Sequence, residues 1–152
     1  MDDVDYVVRQ AGPGDLLALA RLLGLDRVLS DADLSAAQVN TWSEMMAMPQ
    51  LRVYLAEQAD EAVGYTATLR MPHLTYDCRP TLFIESMHVL KPHRRRGVAT
   101  RMLERIVDDA GDAGCHKVQL LSHKRHATDG AHDLYRSVGF MPEAEGFRLY
   151  LD

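Results

Sequence analysis

Apolar and polar residues change period several times along the chain, and each change marks an element. Tyr6 to Arg9 alternates weakly, which predicts a short first strand broken by Gly12-Pro13-Gly14. Asp15 then stands as an N-cap before Leu16, Leu17, Leu19, Ala20, Leu22 and Leu23, an apolar set at helical spacing. From about Ser35 to Met48, Ala36, Val39, Trp42, Met45 and Met46 recur with a helical period. Leu51 to Ala56 alternates with period two. After Asp60-Glu61, Ala62 to Met71 is rich in Val, Tyr, Thr and Leu and reads as its antiparallel hairpin partner. A loop over 72–80 leads to a strand from Thr81 to Leu90, closed by Lys91-Pro92. The helix after Gly97 carries Met102, Leu103, Ile106 and Val107 inward and ends near Gly111 or Gly114. Val118 to Leu121 is a short strand, and Asp129 to Val138 is a helix stopped by Gly139. Phe140 to Leu151 predicts one or two short strands around Gly146.

Strand, helix and strand over 81–121 require a right-handed crossover and a locally parallel pair, whereas the hairpin before them is antiparallel. The expected fold is therefore α/β (α+β), with a mixed, mostly antiparallel sheet and helices on both faces. There are no repeats and no Pro-, Gly- or Ser-rich linker, so one domain is expected over 1–152. At 152 residues and 47% hydrophobic, the chain is long enough for a real core. A formal net charge of -5 argues against a general nucleic-acid binder. No apolar run approaches the roughly 20 residues of a membrane span. Cys78 and Cys115 lack metal-type spacing, and the first residues are acidic with no apolar signal core. A reduced, cytoplasmic protein is expected.

The densest chemistry lies in His93-Arg94-Arg95-Arg96-Gly97-Val98-Ala99-Thr100, between a strand and a helix. The first N–H groups of a helix have no internal acceptor, the helix dipole adds partial positive charge, and a glycine admits close approach. Three arginines add forked donors for phosphate oxygens. On an acidic protein such a local cluster suits a compact anionic ligand. Taken alone it would serve a nucleotide or dinucleotide equally well.

A second segment narrows the choice. Arg94, Gly97 and Ala99 match an Arg/Gln-x-x-Gly-x-Gly/Ala core. Ala131-His132-Asp133-Leu134-Tyr135-Arg136-Ser137-Val138-Gly139-Phe140 matches Ala-x-x-x-Tyr-x-x-x-Gly-Phe. In this order the two motifs resemble the acetyl-coenzyme A (acetyl-CoA) signatures of the GNAT (Gcn5-related N-acetyltransferase) superfamily. The resemblance implies acetyl-CoA as co-substrate, with its pyrophosphate cradled by Arg95, Arg96, Gly97, Val98, Ala99 and Thr100. It also implies a gap between the strands at 81–90 and 118–121 for the pantetheine arm, bound along Met87, His88 and Val89. By the same resemblance Tyr135 is the general acid for the departing thiolate, and the Met87 N–H is the donor to the thioester oxygen. Many relatives have Asn seven residues before that tyrosine; here it is Thr128. Ser122-His123-Lys124-Arg125 resembles a variant in which Lys124 or Arg125 reaches a phosphate.

The attacking amine must lose a proton. The resemblance makes Glu85 the candidate base, since it lies four residues before Val89, where polyamine and arylalkylamine relatives place a carboxylate or histidine. It is otherwise an anchor for the cationic amine. Strict strand alternation predicts that Glu85, Met87 and Val89 share the cleft face and that His88 points the other way. His123, His126 and His132 fit no zinc spacing, and no metal is expected. Trp42 with Met45, Met46 and Met48 forms either a pliable pocket or an ordinary packed helix face. The expected activity is direct transfer of acetyl to a primary amine, of a small molecule in the first instance. The acidic balance and Glu85 favour a cationic acceptor. A lysine or N-terminal protein acceptor, or an acyl-CoA sensor without turnover, are the alternatives. No nucleic-acid or membrane partner is expected. The 72–80 loop resembles segments that pair across dimers in some relatives, which implies a homodimer. That loop and the helices at 15–48 are expected to shape the acceptor pocket.

Overall fold

The computed structural model describes residues 5–24 and 30–152. The chain divides into two compact units, residues 1–119 and 120–152. Strands β1 (Val7–Gln10), β2 (Leu51–Gln58), β3 (Glu61–Met71), β4 (Thr81–Val89) and β5 (Lys117–Leu120) lie in one sheet in chain order, and all but the last residue of β5 belong to the first unit. The first four pair antiparallel. The β2–β3 hairpin turns through Ala59 and Asp60, both left-handed (φ 49° and 64°). That is the backbone a two-residue turn needs to match strand twist. The start of β5 is tied to the start of β4 by the His116 N–H, which donates to the Pro80 carbonyl at 2.8 Å. The two strands therefore run the same way, as a crossover through a helix demands.

Helices cover both faces. On one, Leu19 and Leu22 of α1 (Leu16–Leu22) and Trp42 of α2 (Ala36–Ala47) pack with Val53, Leu55, Tyr65 and Ala67. Ser35 caps α2 by accepting from the Gln38 N–H at 3.1 Å, and the Gln38 side chain accepts from the Ser35 N–H at 2.8 Å. Asp15 precedes α1, but its carboxylate accepts from the Gly12 N–H and pairs with Arg9 at 2.8 Å instead of capping the helix. On the other face lies α3 (Val98–Asp112), whose Val98, Met102, Leu103 and Ile106 are buried. Each contributes about 1.5–3 kcal/mol relative to exposure.

Gly64 lets α3 seat. A Cβ there would stand 3.0 Å from Met102 Sδ, 3.1 Å from Ala56 Cβ and 3.2 Å from Val98 Cγ1. Gly64→Val should therefore cost about 1–3 kcal/mol by overpacking. Thermal denaturation should show a fall in Tm of several degrees, and an unchanged Tm would mean that the helix rides over this point without contact.

The second unit contains a short 3-10 turn (Lys124–Ala127) and α4 (Ala131–Val138). The expected strands around Gly146 do not form: residues 140–152 carry neither helix nor strand. Phe147, Leu149 and Leu151 alternate as a strand would, yet their side chains are exposed. A strand needs a ladder partner, and this unit supplies none.

Candidate active site

Two features of β4 organise the site. The first is a change in burial along the strand. Thr81, Leu82 and Ile84 are buried, whereas Glu85 and Ser86 are exposed and Met87, His88 and Val89 are half-buried. The second is a bulge. Tyr65 pairs with His88 and Ala67 with Glu85, so the single residue Thr66 opposes both Ser86 and Met87. Ser86 takes a left-handed backbone (φ 58°) to fit the extra residue.

The bulge overturns the expected alternation. Paired residues of an antiparallel ladder share a face, so Glu85 and His88 both lie on the face of Ala67 and Tyr65, under α1 and α2. Met87 and Val89 turn to the opposite face and pack against the cluster around Val98 and Met102. Glu85 is thus separated from Met87 and joined to His88, the reverse of strict period two. The Tyr65 phenol is pushed above its ordinary value, by burial first and by the nearby Glu85 carboxylate second. His88 is pushed down, by burial first and then by the positive charge of Arg94.

β4 runs into a 3-10 turn at Lys91–His93 and then into the arginines. Arg94 Nε donates to the Val89 carbonyl at 2.8 Å, which fastens the loop to the strand end. Arg95 is left-handed (φ 59°), and Gly97, the N-cap of α3, is left-handed too (φ 81°). Left-handed residues within such a turn make concave arrangements of N–H groups that hold anions. Arg94, Arg95 and Arg96 are exposed, and a Cβ at Gly97 would meet nothing within 4 Å, so the approach is open. Val98 is buried in the core and offers only its backbone, while Ala99 and Thr100 are half-buried in the first turn of the helix. The loop fits a pyrophosphate.

In the second unit Thr128 is exposed at the end of the 3-10 turn. His126 Nδ1 bonds the Asp129 carboxylate, which also accepts from the Ala131 N–H at 3.1 Å. Both bonds hold Asp129 below the usual carboxylate range, His126 more strongly. Lys124 and Arg125 are exposed. Tyr135 lies on α4, half-buried, with its ring edge-on to Phe140 at 6.1 Å. Gly139 and Phe140 close the helix through N–H bonds to the Arg136 and Tyr135 carbonyls, each 3.0 Å. Burial, and then the Asp129 charge, push the Tyr135 phenol up. Among the described residues no group of three His, Cys, Asp or Glu could hold a metal, and no helix is long and apolar enough to cross a membrane.

A cavity of about 270 Å³ opens on the Glu85 face, lined by α1, α2 and Tyr65. Trp42 and Met45 contribute to it. Both also belong to or pack on the core, as Met46 does, and Met48 is exposed. The 72–80 loop is not among the lining residues. It packs against the start of β5, where Tyr76 stacks on His116 at 4.2 Å and Arg79 donates to the Cys115 carbonyl at 3.0 Å. Within the expected 15–48 segment, residues 25–29 lie outside the described residues.

Comparison with known proteins bears on the family and the fold. The model of the acetyltransferase (GNAT) family matches residues 18–140. A solved structure from Agrobacterium tumefaciens str. C58, assigned as an acetyltransferase, is 29% identical with a TM-score of 0.83, covering 95% of this chain and 99% of that one. A transcriptional regulator from Bacillus halodurans C-125 is 24% identical (TM-score 0.84, coverage 96% and 99%). Glucosamine-6-phosphate N-acetyltransferase from Arabidopsis thaliana is 15% identical (TM-score 0.80, coverage 97% and 99%). The last two show the fold alone. No curated protein matches significantly. With the family model spanning most of the chain, and with the arginine loop and the Tyr135 helix both inside the matched range, the protein belongs to the GNAT family of acetyl-CoA-dependent acetyltransferases.

Proposed function

We propose that the protein transfers acetyl from acetyl-CoA directly to the primary amine of a small molecule, without an acyl-enzyme. The observation that carries this is the bulge at Ser86, which turns Glu85 and His88 to the same face of β4. The arginine loop follows on the same strand–turn–helix, so the donor's phosphates and the amine-facing groups are set by one continuous piece of chain. Arg95, Arg96 and the N–H groups of 95–100 hold the pyrophosphate. The arm runs beside Met87, His88 and Val89, and the Met87 N–H at the bulge steadies the thioester oxygen as it gains charge.

Glu85 attracts the ammonium and takes its proton through water, and His88 on the same face accepts the proton through that water. Tyr135 returns a proton to the departing sulfur. Cys78 lies exposed in the 72–80 loop and Cys115 is buried just before β5, which supports a direct route without a cysteine nucleophile. Thr128 stands at the position that contacts coenzyme A in relatives, and Lys124 or Arg125, both exposed, reaches a phosphate of the cofactor. The family model crosses the boundary between the two units, which supports their working as one domain. The two free thiols support a cytoplasmic setting. A homodimer is proposed on the resemblance of the 72–80 loop.

Release of free coenzyme A, measured across a panel of primary amines, lysine peptides and N-terminal peptides, tests this reading. Small amines should turn over at least tenfold faster in kcat/KM than any peptide. Faster turnover of a peptide would overturn the small-molecule assignment, and tight acetyl-CoA binding with no turnover would favour a sensor.

A further inference from the structure

We infer that the acceptor of this site is a primary amine with an apolar body, an alkyl or arylalkyl amine, seated in the cavity between α1, α2 and β3. The inference rests on the transferase reading above for the amine, and on the cavity alone for the body. Leu16, Leu19, Leu23, Trp42, Met45 and Tyr65 form most of its wall. Gln38, Thr41, Trp42 and Tyr65 are the lining residues with a polar side-chain atom, the Trp42 N–H is already bonded to the Pro13 carbonyl, and no charged side chain is among the described lining residues.

Tyr65 joins this wall to the chemistry. Its β3 position faces His88 across the ladder, Ala67 two residues on faces Glu85, and its phenol feels the Glu85 carboxylate. Glu85 is not itself a lining residue, so Tyr65 is the wall residue that links an amine body in the cavity to that carboxylate. About 270 Å³ lies just below the roughly 300–1,000 Å³ usual for ligand sites, which suits a small amine, and a predominantly apolar wall with few polar groups is what such sites present to apolar ligands.

The same wall disfavours the alternatives. A phosphorylated sugar needs arginine or lysine forks, and a polycationic aminosugar needs several carboxylates. Hydroxyl-rich bodies would leave their polar groups unpaired against leucine and tryptophan, which is costly.

Trp42 is the single tryptophan of the chain, so its fluorescence reports occupancy of the cavity without any turnover. Propyl-, butyl-, pentyl- and hexylamine should each give a saturable change, with Kd falling about three- to fourfold per added methylene. Glucosamine 6-phosphate and tobramycin should give none. Thr41→Lys places a cation at an exposed point of the wall. It should weaken hexylamine at least tenfold and leave acetyl-CoA binding unaltered. A response independent of chain length, or a Thr41→Lys variant that binds hexylamine as before, would overturn the inference. If coenzyme A is released only with the polar amines, the apolar acceptor is wrong while acetyl transfer stands. If Trp42 responds by chain length but no amine releases coenzyme A, the cavity assignment holds and the transferase reading falls.

Discussion

Tyr135→Phe is expected to lower kcat by roughly 100-fold or more while the KM for acetyl-CoA moves by less than about twofold, the loss typical of removing one positioned proton donor. The substitution keeps the ring. The edge contact with Phe140 and the N–H bonds that close α4 need no hydroxyl, so circular dichroism and Tm should stay near those of the native protein. The direction of the pKa shift fits the role. Burial and the Asp129 carboxylate both disfavour the phenolate, so the proton stays on the oxygen throughout the neutral and mildly alkaline range. A donor must hold its proton until the sulfur departs. The upward shift therefore extends the working range to higher pH and does not narrow it. The linkage runs the same way. A phenol raised in the folded state contributes stability that is fully present below its unfolded value of about 10 and is lost as pH rises through the folded value. Tyr135→Phe should flatten that alkaline decline. Unchanged kcat in the variant would remove Tyr135 from the chemistry.

Much of the scaffold was legible because its residues obey simple periods. Ser35 with Gln38, Gly97 before Val98, and Gly139 after Val138 mark helix ends by local chemistry that does not depend on distant contacts. The site was harder for a physical reason. Facing on a strand follows from strict alternation only while the ladder is regular, and one inserted residue exchanges the two faces beyond it. The trace was nevertheless present. The apolar positions Leu82, Ile84, Met87 and Val89 are spaced two, three and two apart, and the step of three spans Glu85-Ser86. A reading that kept the apolar face inward would have shifted phase there and put His88 with Glu85. Tyr65 carried no such mark, since its place in the wall depends on β3 pairing with β4 and on α1 and α2 lying over it. The segment 140–152 failed in the opposite sense, because its alternation is real but pairing partners are not a property of the segment itself.

The facing of Glu85 and His88 leads to the other large effect. Glu85→Gln keeps size and hydrogen bonding but removes the charge, and it should lower kcat by about 100-fold near pH 7. An anchor and a base separate in the kinetics. Loss of a cation anchor raises the KM for the amine with kcat preserved, whereas loss of the proton path lowers kcat with that KM preserved. We expect the loss to fall mainly on kcat, with a smaller rise in that KM because Glu85 also attracts the ammonium. His88→Gln should cost about tenfold, and the double variant little more than Glu85→Gln alone, because groups on one proton path are not additive. His88 also sets the pH window. Burial and Arg94 lower its pKa, so it is neutral and able to accept at pH 7, and the acid limb of kcat/KM should fall below the ordinary histidine value of about 6.5. Removing the Arg94 charge with Arg94→Gln should move that limb upward. Stability must follow the same sign. A histidine depressed in the folded state contributes stability that is present above about 6.5 and is lost as pH falls through the folded value, a slope that His88→Gln removes. If Glu85→Gln raises only the amine KM and His88→Gln leaves the acid limb in place, the bulge serves to orient the acceptor and the proton leaves directly to water.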